Sequence, residues 1–192
     1  VLIGVKSVNH MTKAYMTNLS ALQPALVGQL LRIDPTRAAD HDDVYAAASD
    51  PSIWEQHPAR DRWKREVFDA FFTGGLKSGG ALTVRDVVTN EVIGSSRYYS
   101  WSPEGRHLSI GYTFLVRRCW GGTYNHELKK LMLDHALGFV DRVWFHIGAN
   151  NMRSRRAIEA IGAVFDKEIA NDPDWNGVSM AYYVIDQRTR KI

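Results

Sequence analysis

The segment VRRCWGGTYN, residues 116–125, combines glycines and arginines in a way that suits the binding of an anionic group. Gly121 and Gly122 let the backbone approach a ligand closely, and Arg117 and Arg118 bring positive charge. The first N–H groups of a helix that follows would point outward with partial positive charge, which makes a phosphate site. Taken alone, glycines before a helix are more often ordinary turn residues. A nucleotide-binding P-loop is disfavoured because neither Lys-Ser nor Lys-Thr follows them.

The elements on either side of this loop follow from the periodicity of the apolar residues. Residues 107–116 predict a strand entering the loop, with Leu108, Ile110, Tyr112 and Phe114 on one face and His107, Ser109, Gly111 and Thr113 on the other. Residues 124–140 predict a long amphipathic helix leaving it. The remaining pattern predicts strands at 26–34, 81–88, 91–99, 142–148, 163–169 and 178–186, and helices at 41–49, 62–76 and 152–161. This order indicates an α/β (α+β) fold with helices on the faces of the sheet.

Local signals set the expected ends of several helices. Asp40 is expected to cap the helix over 41–49. Gly74-Gly75 and Gly79-Gly80 are expected to break the chain at the end of the second helix. Gly162 lies where a helix favours a left-handed terminal residue.

The composition is that of a water-soluble protein. Hydrophobic residues make up 45% of the 192 residues and charged residues 23%, and no apolar run reaches the length that spans a bilayer. A single cysteine, Cys119, favours a reducing compartment, so a cytoplasmic location is expected. The net charge of +3 comes from scattered basic residues, which disfavours a nucleic-acid partner. Residues 1–10 are interpreted as an expression tag or a flexible N-terminal arm, and residues 11–192 as a single domain.

Beyond these patterns, the chain resembles the GNAT superfamily of acetyltransferases, and within it the RimJ/RimL-like branch of ribosomal-protein-alanine N-acetyltransferases. The resemblance covers residues 26–186 and is carried by LVGQLLRI, EVIGSSRYY, IGYTFLVRRCWGGTYNHE and RVWFHIGANNMRSRRAIEAIGA. It implies a GNAT fold, with a mixed, mostly antiparallel sheet of about seven strands whose splayed strands open a cofactor cleft. It also implies direct transfer of an acetyl group from acetyl-CoA (coenzyme A) to a primary amine in a ternary complex.

The resemblance places the cofactor on the loop. Arg118, Gly121 and Thr123 occupy the defined positions of the family's pyrophosphate loop, Arg/Gln-x-x-Gly-x-Gly/Ala, in which Thr123 departs from the usual Gly or Ala. The backbone at the end of the preceding strand is expected to pair with the pantetheine arm. The implied cofactor contacts are Phe114, Leu115, Val116, Arg117, Arg118, Trp120, Gly121, Gly122, Thr123, Tyr124, Asn125, Asn151 and Ser154. Because it precedes a helix, Asn151 is also a good N-cap without any ligand.

The candidate catalytic residues follow from two positions at which this chain departs from the family pattern. Ile158 replaces the tyrosine that many superfamily members use as the acid for the leaving thiolate, and the RimJ/RimL-like pattern favours Ser154 instead. Ser109 replaces a glutamate that is common in that branch. A water, or His107 on the same strand face, is therefore expected to accept the amine proton. Cys119 is not expected to act as a nucleophile, because direct transfer needs none.

The acceptor site is expected at the loop between the first two helices. Trp54, Glu55 and His57 lie in that loop, which the resemblance places over the acceptor cleft. Tyr98, with its neighbour Tyr99, either lines the same cleft or packs the sheet. The acceptor is expected to be a protein N-terminus, a peptide or a small amine, with no membrane partner, and a homodimer suits this class. Alternatives are a GNAT-fold module that binds CoA without turnover, and a transferase for a larger acyl group.

Overall fold

The computed structural model describes residues 19–192, so the expected tag or arm at residues 1–10 lies outside the described part of the chain. In that part the strands are β1 (Leu26–Val27), β2 (Leu31–Pro35), β3 (Ala81–Asp86), β4 (Val92–Ser102), β5 (His107–Leu115), β6 (Arg142–Gly148), β7 (Val164–Asp172) and β8 (Val178–Ile185). The helices are α1 (His41–Ala48), α2 (Arg65–Ser78), α3 (Thr123–Ala136) and α4 (Met152–Ala160), with short 3-10 turns between several elements. The largest difference from the predicted elements is at the first strand.

The strands form one sheet in the order β1-β2-β3-β4-β5-β6-β8-β7. Every neighbouring pair is antiparallel except β5 and β6, which run parallel. That parallel pair extends over only three residue pairs, from His107–Arg142 to Ser109–Trp144. Beyond Ser109 the two strands diverge, and within residues 19–192 no strand pairs with the edge of β5 that faces β6 as far as Leu115. The predicted mixed, mostly antiparallel sheet is confirmed, with eight strands in the described residues.

Residues 26–34 form a tight hairpin, and the single strand predicted from their apolar pattern is wrong. The chain reverses after Gly28, whose N–H donates to the carbonyl of Leu31 at 2.9 Å. The carboxylate of Glu127, near the start of α3, accepts from the N–H groups of Leu30 at 3.0 Å and Leu31 at 3.3 Å. Buried or half-buried N–H groups need such partners. The turn is therefore held by a residue almost a hundred positions away, which a local pattern cannot reveal.

A bulge at Tyr112 interrupts the alternation predicted for β5. Tyr112 has a φ of 53°, and the register of β5 against β4 shifts at this point. One extra residue exchanges the two faces of a strand from there onward. Leu108 and Ile110 therefore belong to one core, whereas Phe114 belongs to the core on the other side. The expectation that these residues and Tyr112 all share one face is wrong.

Helices cover both faces of the sheet, as predicted. On one face α3 and α4 cover the larger core, which includes Leu31, Leu82, Leu108, Ile110, Leu128, Met132, Val143, Ile158 and Tyr183. On the other face α1 and α2 cover a smaller, aromatic core of Val44, Ala47, Ala48, Ile53, Trp54, Phe68, Phe72 and Phe114. Because both faces are packed, the two diverging strands are fixed from each side.

The second helix passes through the glycines that were expected to break it. α2 continues through Gly74 and Gly75 and ends at Gly79, which has a φ of 67°. The expected break at Gly74-Gly75 is therefore wrong. Gly75 instead permits close packing, because a Cβ at this position would lie 2.8 Å from Nη2 of Arg97.

The ends of the shorter helices follow their local signals in part. Asp40 precedes α1 as predicted, but its side chain makes no capping bond and instead pairs with Arg85 at 2.6 Å. Gly162 follows α4 with a φ of 100°, which confirms the expected left-handed terminal residue. No helix within residues 19–192 is both long and apolar enough to cross a bilayer.

Replacing Gly28 with alanine is expected to lower the free energy of unfolding by about 2 kcal/mol. The added Cβ would lie 1.8 Å from Oε1 of Glu127, so the carboxylate must leave the two N–H groups that it satisfies. The matched control is Gly74→Ala in the exposed interior of α2, where a Cβ meets nothing within 4 Å. There alanine is expected to stabilise by about 0.5 kcal/mol or more. Urea denaturation measures both variants, and an unchanged stability of Gly28→Ala would contradict the role given to Glu127.

Candidate functional site

The divergence of β5 from β6 opens a cleft with two connected parts. The larger cavity, of about 1060 Å³, lies beside the loop after β5 and the N-terminal ends of α3 and α4. The smaller cavity, of about 450 Å³, lies between β5 and β6 and is bordered by His57 and Trp175. Six residues line both cavities and define their junction: His57, Thr113, Asn125, Asn151, Ser154 and Ala157. Molecules in the two cavities would therefore contact the same side chains.

The loop after β5 provides open space and backbone donors beside the larger cavity. Gly121 and Gly122 have φ values of 96° and 131°, and a Cβ on either residue would meet nothing within 4 Å. Glycine is thus required here by the backbone conformation and not by crowding. α3 begins directly afterwards at Thr123 and is 14 residues long. The first N–H groups of such a helix carry the positive end of its dipole, so this part of the cavity can bind phosphate oxygens.

The positive charge of the larger cavity comes from residues that were not predicted. Lys130, Arg153 and Arg156 line it. The guanidinium of Arg153 stacks on the ring of Trp120 at 4.2 Å and donates to the carbonyl of Ile53 at 2.8 Å, and burial lowers the pKa of Arg153. Within residues 19–192 no carboxylate forms an ion pair with Arg153 or Arg156. Both charges are therefore available to an anion in the cavity.

Two of the predicted cofactor contacts, Arg118 and Tyr124, hold the loop against a neighbouring hairpin. These two residues and Arg117 line neither of the two cavities, so their contact with the cofactor stays a prediction. Arg118 pairs with Glu91 at 2.7 Å, and the hydroxyl of Tyr124 donates to Asp86 at 3.0 Å. Both acidic residues flank the turn between β3 and β4. The two contacts therefore hold the glycine-containing backbone against that hairpin.

The end of β5 lies between the loop and the cleft. Phe114 and Leu115 line the larger cavity, whereas the side chain of Val116 packs against the two cores. The carbonyl of Leu115 accepts a hydrogen bond from Nε1 of Trp120 at 2.9 Å. The ring of Phe114 packs against Trp54 with centroids 5.3 Å apart. Trp54 is 2% exposed, so this predicted acceptor residue is part of the core as well as of the cavity wall.

Asn151 and Ser154 lie at the junction, and a helix cap positions them. Oδ1 of Asn151 accepts from the N–H of Ser154 at 3.1 Å, at the first turn of α4. Asn151 therefore caps the helix and also faces both cavities, so its two sequence interpretations are compatible. Ser154, the predicted acid, lines both cavities, whereas Ile158 lines only the smaller one.

Lys129 is the candidate residue that the sequence analysis missed. It lies on the buried face of α3, is 4% exposed and lines the smaller cavity. Its Nζ donates to Oγ1 of Thr113 at 2.7 Å and lies 5.8 Å from the ring centre of Phe145. Burial lowers the pKa of Lys129 to about 7. A lysine between Leu128 and Met132, on the apolar side of a predicted helix, is the signal that could have revealed it.

Aromatic rings form part of the smaller cavity. Five ring pairs with centroids between 5.2 and 6.4 Å connect Tyr99, Tyr112, His146 and Trp175. We call these four residues the aromatic wall. The hydroxyl of Tyr99 lies 3.0 Å from Nδ1 of His146, and burial lowers the pKa of that histidine to about 4. The wall is therefore uncharged at neutral pH.

His57 and Arg62 complete the lining of the smaller cavity beside the aromatic wall. Nδ1 of His57 accepts from the N–H of Ala59 at 2.9 Å. Burial, together with the nearby charge of Arg62, lowers the pKa of His57 to about 3, so this predicted acceptor residue is neutral at pH 7. Burial also lowers the pKa of Arg62, to about 10, which leaves the guanidinium charged at neutral pH.

Tyr98, His107 and Ser109 do not line either cavity. Tyr98 has no exposed surface and donates to the carbonyl of Met132 in α3, so the expected substrate contact of Tyr98 is corrected to its neighbour Tyr99. Ser109 is 1% exposed, and His107 begins β5 where it is still paired with β6. Their expected part in proton transfer stays a prediction, and the geometry of the cleft adds nothing to it.

Cys119 is buried in the wall of the larger cavity. Burial raises the pKa of its thiol, because the thiolate form is disfavoured away from water. This agrees with the expectation that Cys119 does not act as a nucleophile.

Comparison with solved structures shows which proteins share this architecture. A putative acetyltransferase from T. thermophilus is 26% identical, with a TM-score of 0.70 over 86% of this chain and 90% of that chain. The spermidine N-acetyltransferase from Vibrio cholerae, in complex with CoA and spermine, is 12% identical with a TM-score of 0.64, over 84% and 98% of the two chains. RimJ from Mycobacterium smegmatis, in complex with CoA-disulfide, is 15% identical with a TM-score of 0.62, over 82% of each chain. At such identities the last two share the fold alone, and the RimJ/RimL-like branch is not confirmed.

Sequence comparison with protein families gives a narrower result. No curated protein matches the chain. Residues 31–164 match the family described as acetyltransferase (GNAT) domain, and this match spans well over half of the chain. With the fold, the two-part cleft and the glycine loop before α3 already described, this match shows that the chain belongs to the GNAT family of acetyltransferases.

Proposed function

We propose that this enzyme transfers the acetyl group of acetyl-CoA directly to a primary amine while both substrates are bound. The observation that supports this proposal most strongly is the junction, where the two cavities share Thr113, Asn151 and Ser154. A thioester that reaches the junction from the larger cavity would meet an amine that enters through the smaller one. Holding two reactants together in this way turns a bimolecular step into an effectively unimolecular one.

The pyrophosphate of CoA is proposed to bind at the N-terminal end of α3. The backbone after Gly122 offers N–H donors there, and Lys130, Arg153 and Arg156 bring positive charge to the same cavity. Thr123 keeps its backbone N–H, so its departure from the family pattern is compatible with phosphate binding. The pantetheine arm would then follow the end of β5 toward the junction. In this proposal Arg118 acts by positioning the loop through Glu91, not by touching phosphate.

Ser154 is proposed to protonate or hydrogen-bond the thiolate that leaves when the C–S bond breaks. Its side chain lines both cavities, and the cap made by Asn151 fixes its backbone. A CoA thiol has an acidity close to that of cysteine, so the leaving group needs only modest help. The oxyanion that develops on the thioester carbonyl requires N–H donors, and the edge of β5 beyond Ser109 is free of a strand partner to supply them.

Lys129 is proposed to take up the proton that the amine loses. The amine nitrogen attacks the thioester carbon, an N–C bond forms, the C–S bond breaks, and the neutral Nζ of Lys129 accepts the proton from nitrogen. Both histidines of the smaller cavity have pKa values far below 7, whereas the pKa of Lys129 lies near 7. A base works best when its pKa is close to the working pH. Lys129 therefore suits this role better than the histidines.

The proposed mechanism accommodates several acceptors and acyl chains. A protein N-terminus, as the RimJ/RimL-like resemblance implies, a peptide and a small amine are all primary amines that this mechanism can use. A larger acyl group would need the same loop and the same junction. Acetyl-CoA is the proposed donor because the chain belongs to a family of acetyltransferases.

Replacing Gly121 with valine is expected to weaken acetyl-CoA binding by at least about 10-fold, or 1.4 kcal/mol, while the chain stays folded. A branched side chain at a φ of 96° strains the loop and fills the space proposed for phosphate. The matched control is Gly177→Val, since Gly177 also has a positive φ, of 78°, with nothing within 4 Å of its Cβ position, and lines neither cavity. Calorimetry measures the affinities. Equal acetyl-CoA affinity in the two variants would remove the loop from the proposed site.

Replacing Lys129 with methionine is expected to lower kcat by roughly 100-fold at pH 8 and to flatten its dependence on pH. In the parent enzyme kcat should rise with pH through about 7, because only the neutral lysine accepts a proton. Lys77→Met in α2 is the control, since Lys77 is exposed and lines neither cavity. Release of free CoA, followed from pH 6 to pH 9, gives the profiles. An unchanged profile in the Lys129 variant would exclude it as the base.

The same variant carries a readout that is independent of turnover. The folded pKa of Lys129, about 7, lies below its ordinary value of 10.5, so the unfolded chain binds more protons between these two values. The contribution of Lys129 to the free energy of unfolding therefore rises with pH from about 7 to 10.5. Below pH 7 this contribution stays at its lowest value, because the buried lysine is charged. The Lys129→Met chain should lack this rise when urea denaturation is repeated across the window. Identical pH dependence in both chains would mean that Lys129 is not buried as described.

A further inference from the structure

We propose that the acceptor is a small aromatic amine that also carries a carboxylate, and that Arg62 binds this carboxylate at the aromatic wall. The inference rests on the proposed transfer reaction and names the class of its second substrate. It is carried by the contacts of Arg62 and Arg97, by the charges that line the smaller cavity, and by the rings of the aromatic wall.

Arg62 is a partly buried cation that lines the smaller cavity and lacks a carboxylate partner. Its guanidinium lies 4.5 Å from the ring centre of Phe71 and 5.0 Å from that of Trp54. Its side chain shares one hydrogen bond, with Nε2 of His57 at 3.4 Å, and its buried Nε has no partner. Within residues 19–192 no carboxylate forms an ion pair with it, although the charge of the adjacent Asp61 favours its charged form. Because a guanidinium carries five N–H donors in a planar fork, most of its capacity is unused.

Arg97 is a second cation that contacts the ring of Phe71, as Arg62 does. It is 8% exposed, lies 4.1 Å from the ring centre of Tyr112 and 5.3 Å from that of Phe71, and its Nε also has no partner. Burial and the charge of Arg97 lower the pKa of Arg62, whereas Tyr112 and Asp61 act in the opposite direction. Two neighbouring cations that are partly removed from water destabilise the fold unless anions offset them. A carboxylate against Arg62 would supply that offset.

The ionisable groups that line the smaller cavity favour an anion as well. They are His57, Arg62, Tyr99, Tyr112, Lys129 and His146, and no Asp or Glu is among the described lining residues. A polyamine acceptor would therefore meet positive charge without a carboxylate to compensate it. An acceptor with one amine and one carboxylate avoids this repulsion.

The shape of the cavity narrows the acceptor further. Its volume of about 450 Å³ suits a small molecule. The aromatic wall, with Arg62 held between Trp54 and Phe71, offers rings against which a flat apolar body can stack. The guanidinium fork matches a carboxylate in plane, which adds geometric specificity to the charge. A benzoate group that carries an aminomethyl substituent has this combination of features.

Three benzylamines of one size test the proposal. 4-(Aminomethyl)benzoate, 4-methylbenzylamine and 1,4-bis(aminomethyl)benzene share the same reacting amine and differ only in a carboxylate, a methyl group or an ammonium at the far end. With acetyl-CoA and the parent enzyme, kcat/KM is expected to be highest for the benzoate and lowest for the diamine. Release of free CoA measures each rate.

The Arg62→Gln variant should lose the preference for the benzoate by roughly 10- to 100-fold, the range expected for a charge-assisted hydrogen bond. Its acetyl-CoA affinity should stay close to that of the parent, and the ratio of its kcat/KM for the benzoate to that for the methyl compound should fall by this factor. The matched control is Arg60→Gln, which removes the same charge two residues away from an exposed side chain that lines neither cavity. Circular dichroism confirms that both variants are folded. If Arg62→Gln does not fold, Arg62→Lys, which keeps the charge and loses the fork, replaces it.

The outcomes separate this inference from the proposed function. An equal or greater preference for the diamine or the methyl compound, with CoA released, would overturn the anionic acceptor and leave the transferase intact. Failure of the parent enzyme to bind acetyl-CoA would overturn the proposed function itself. If acetyl-CoA binds but none of the three amines reacts, calorimetry with benzoate tests the carboxylate site alone. Benzoate has no amine to acetylate, so only its binding is measured. Binding that is lost in the Arg62 variant and kept in Arg60→Gln supports the inference, and absence of binding to the parent overturns it.

Discussion

The parallel pairing of β5 with β6 ends after three residue pairs, and the cleft depends on that ending. Past it, the bulge at Tyr112 exchanges the faces of β5. Thr113 then meets Lys129 in α3, while Phe114 turns toward Trp54 on the opposite face. Without the extra residue Thr113 would lie on the opposite face of β5, away from Lys129. One local irregularity, held by packed cores on both sides, therefore determines which side chains reach the reaction centre.

The charges that line the two cavities suit different ligands. The larger one combines a helix N-terminus with Lys130, Arg153 and Arg156, which suits an extended polyanion. The smaller one holds Arg62 and Lys129 among rings and neutral histidines, so its charges are few and poorly hydrated. Such groups weaken the fold, and proteins keep them mainly where function requires them. The proton step and the recognition of the acceptor both use charges that contribute little to stability.

The sequence was sufficient for most strands of the sheet, the helices on both faces and the glycine loop, because periodicity and local turn chemistry encode them. The role of Ser154 came from the family resemblance and stays a prediction. The sequence failed where distant residues decide. Glu127 holds the hairpin that replaces the predicted first strand, and α2 contains Gly75 at the position where Arg97 leaves no room for a Cβ. Arg118 follows the family motif, yet its guanidinium pairs with Glu91, a contact set by the β3–β4 turn. The alternation of residues along β4 does not say which face is the cleft, so it cannot distinguish Tyr98, which packs against α3, from Tyr99, which lines the smaller cavity. Lys129 was detectable as a charge on an apolar helix face, but its meaning depends on the bulge opposite it.

A crystal structure of the enzyme with CoA tests the central claim most directly, namely that one cleft brings thioester and amine together at the junction. The pyrophosphate is predicted to lie within hydrogen-bonding distance of the N–H of Thr123. The thiol sulfur is predicted to lie at the junction beside the hydroxyl of Ser154, with the smaller cavity still open behind it. A sulfur remote from Ser154, or a CoA molecule that leaves the larger cavity empty, would contradict the account.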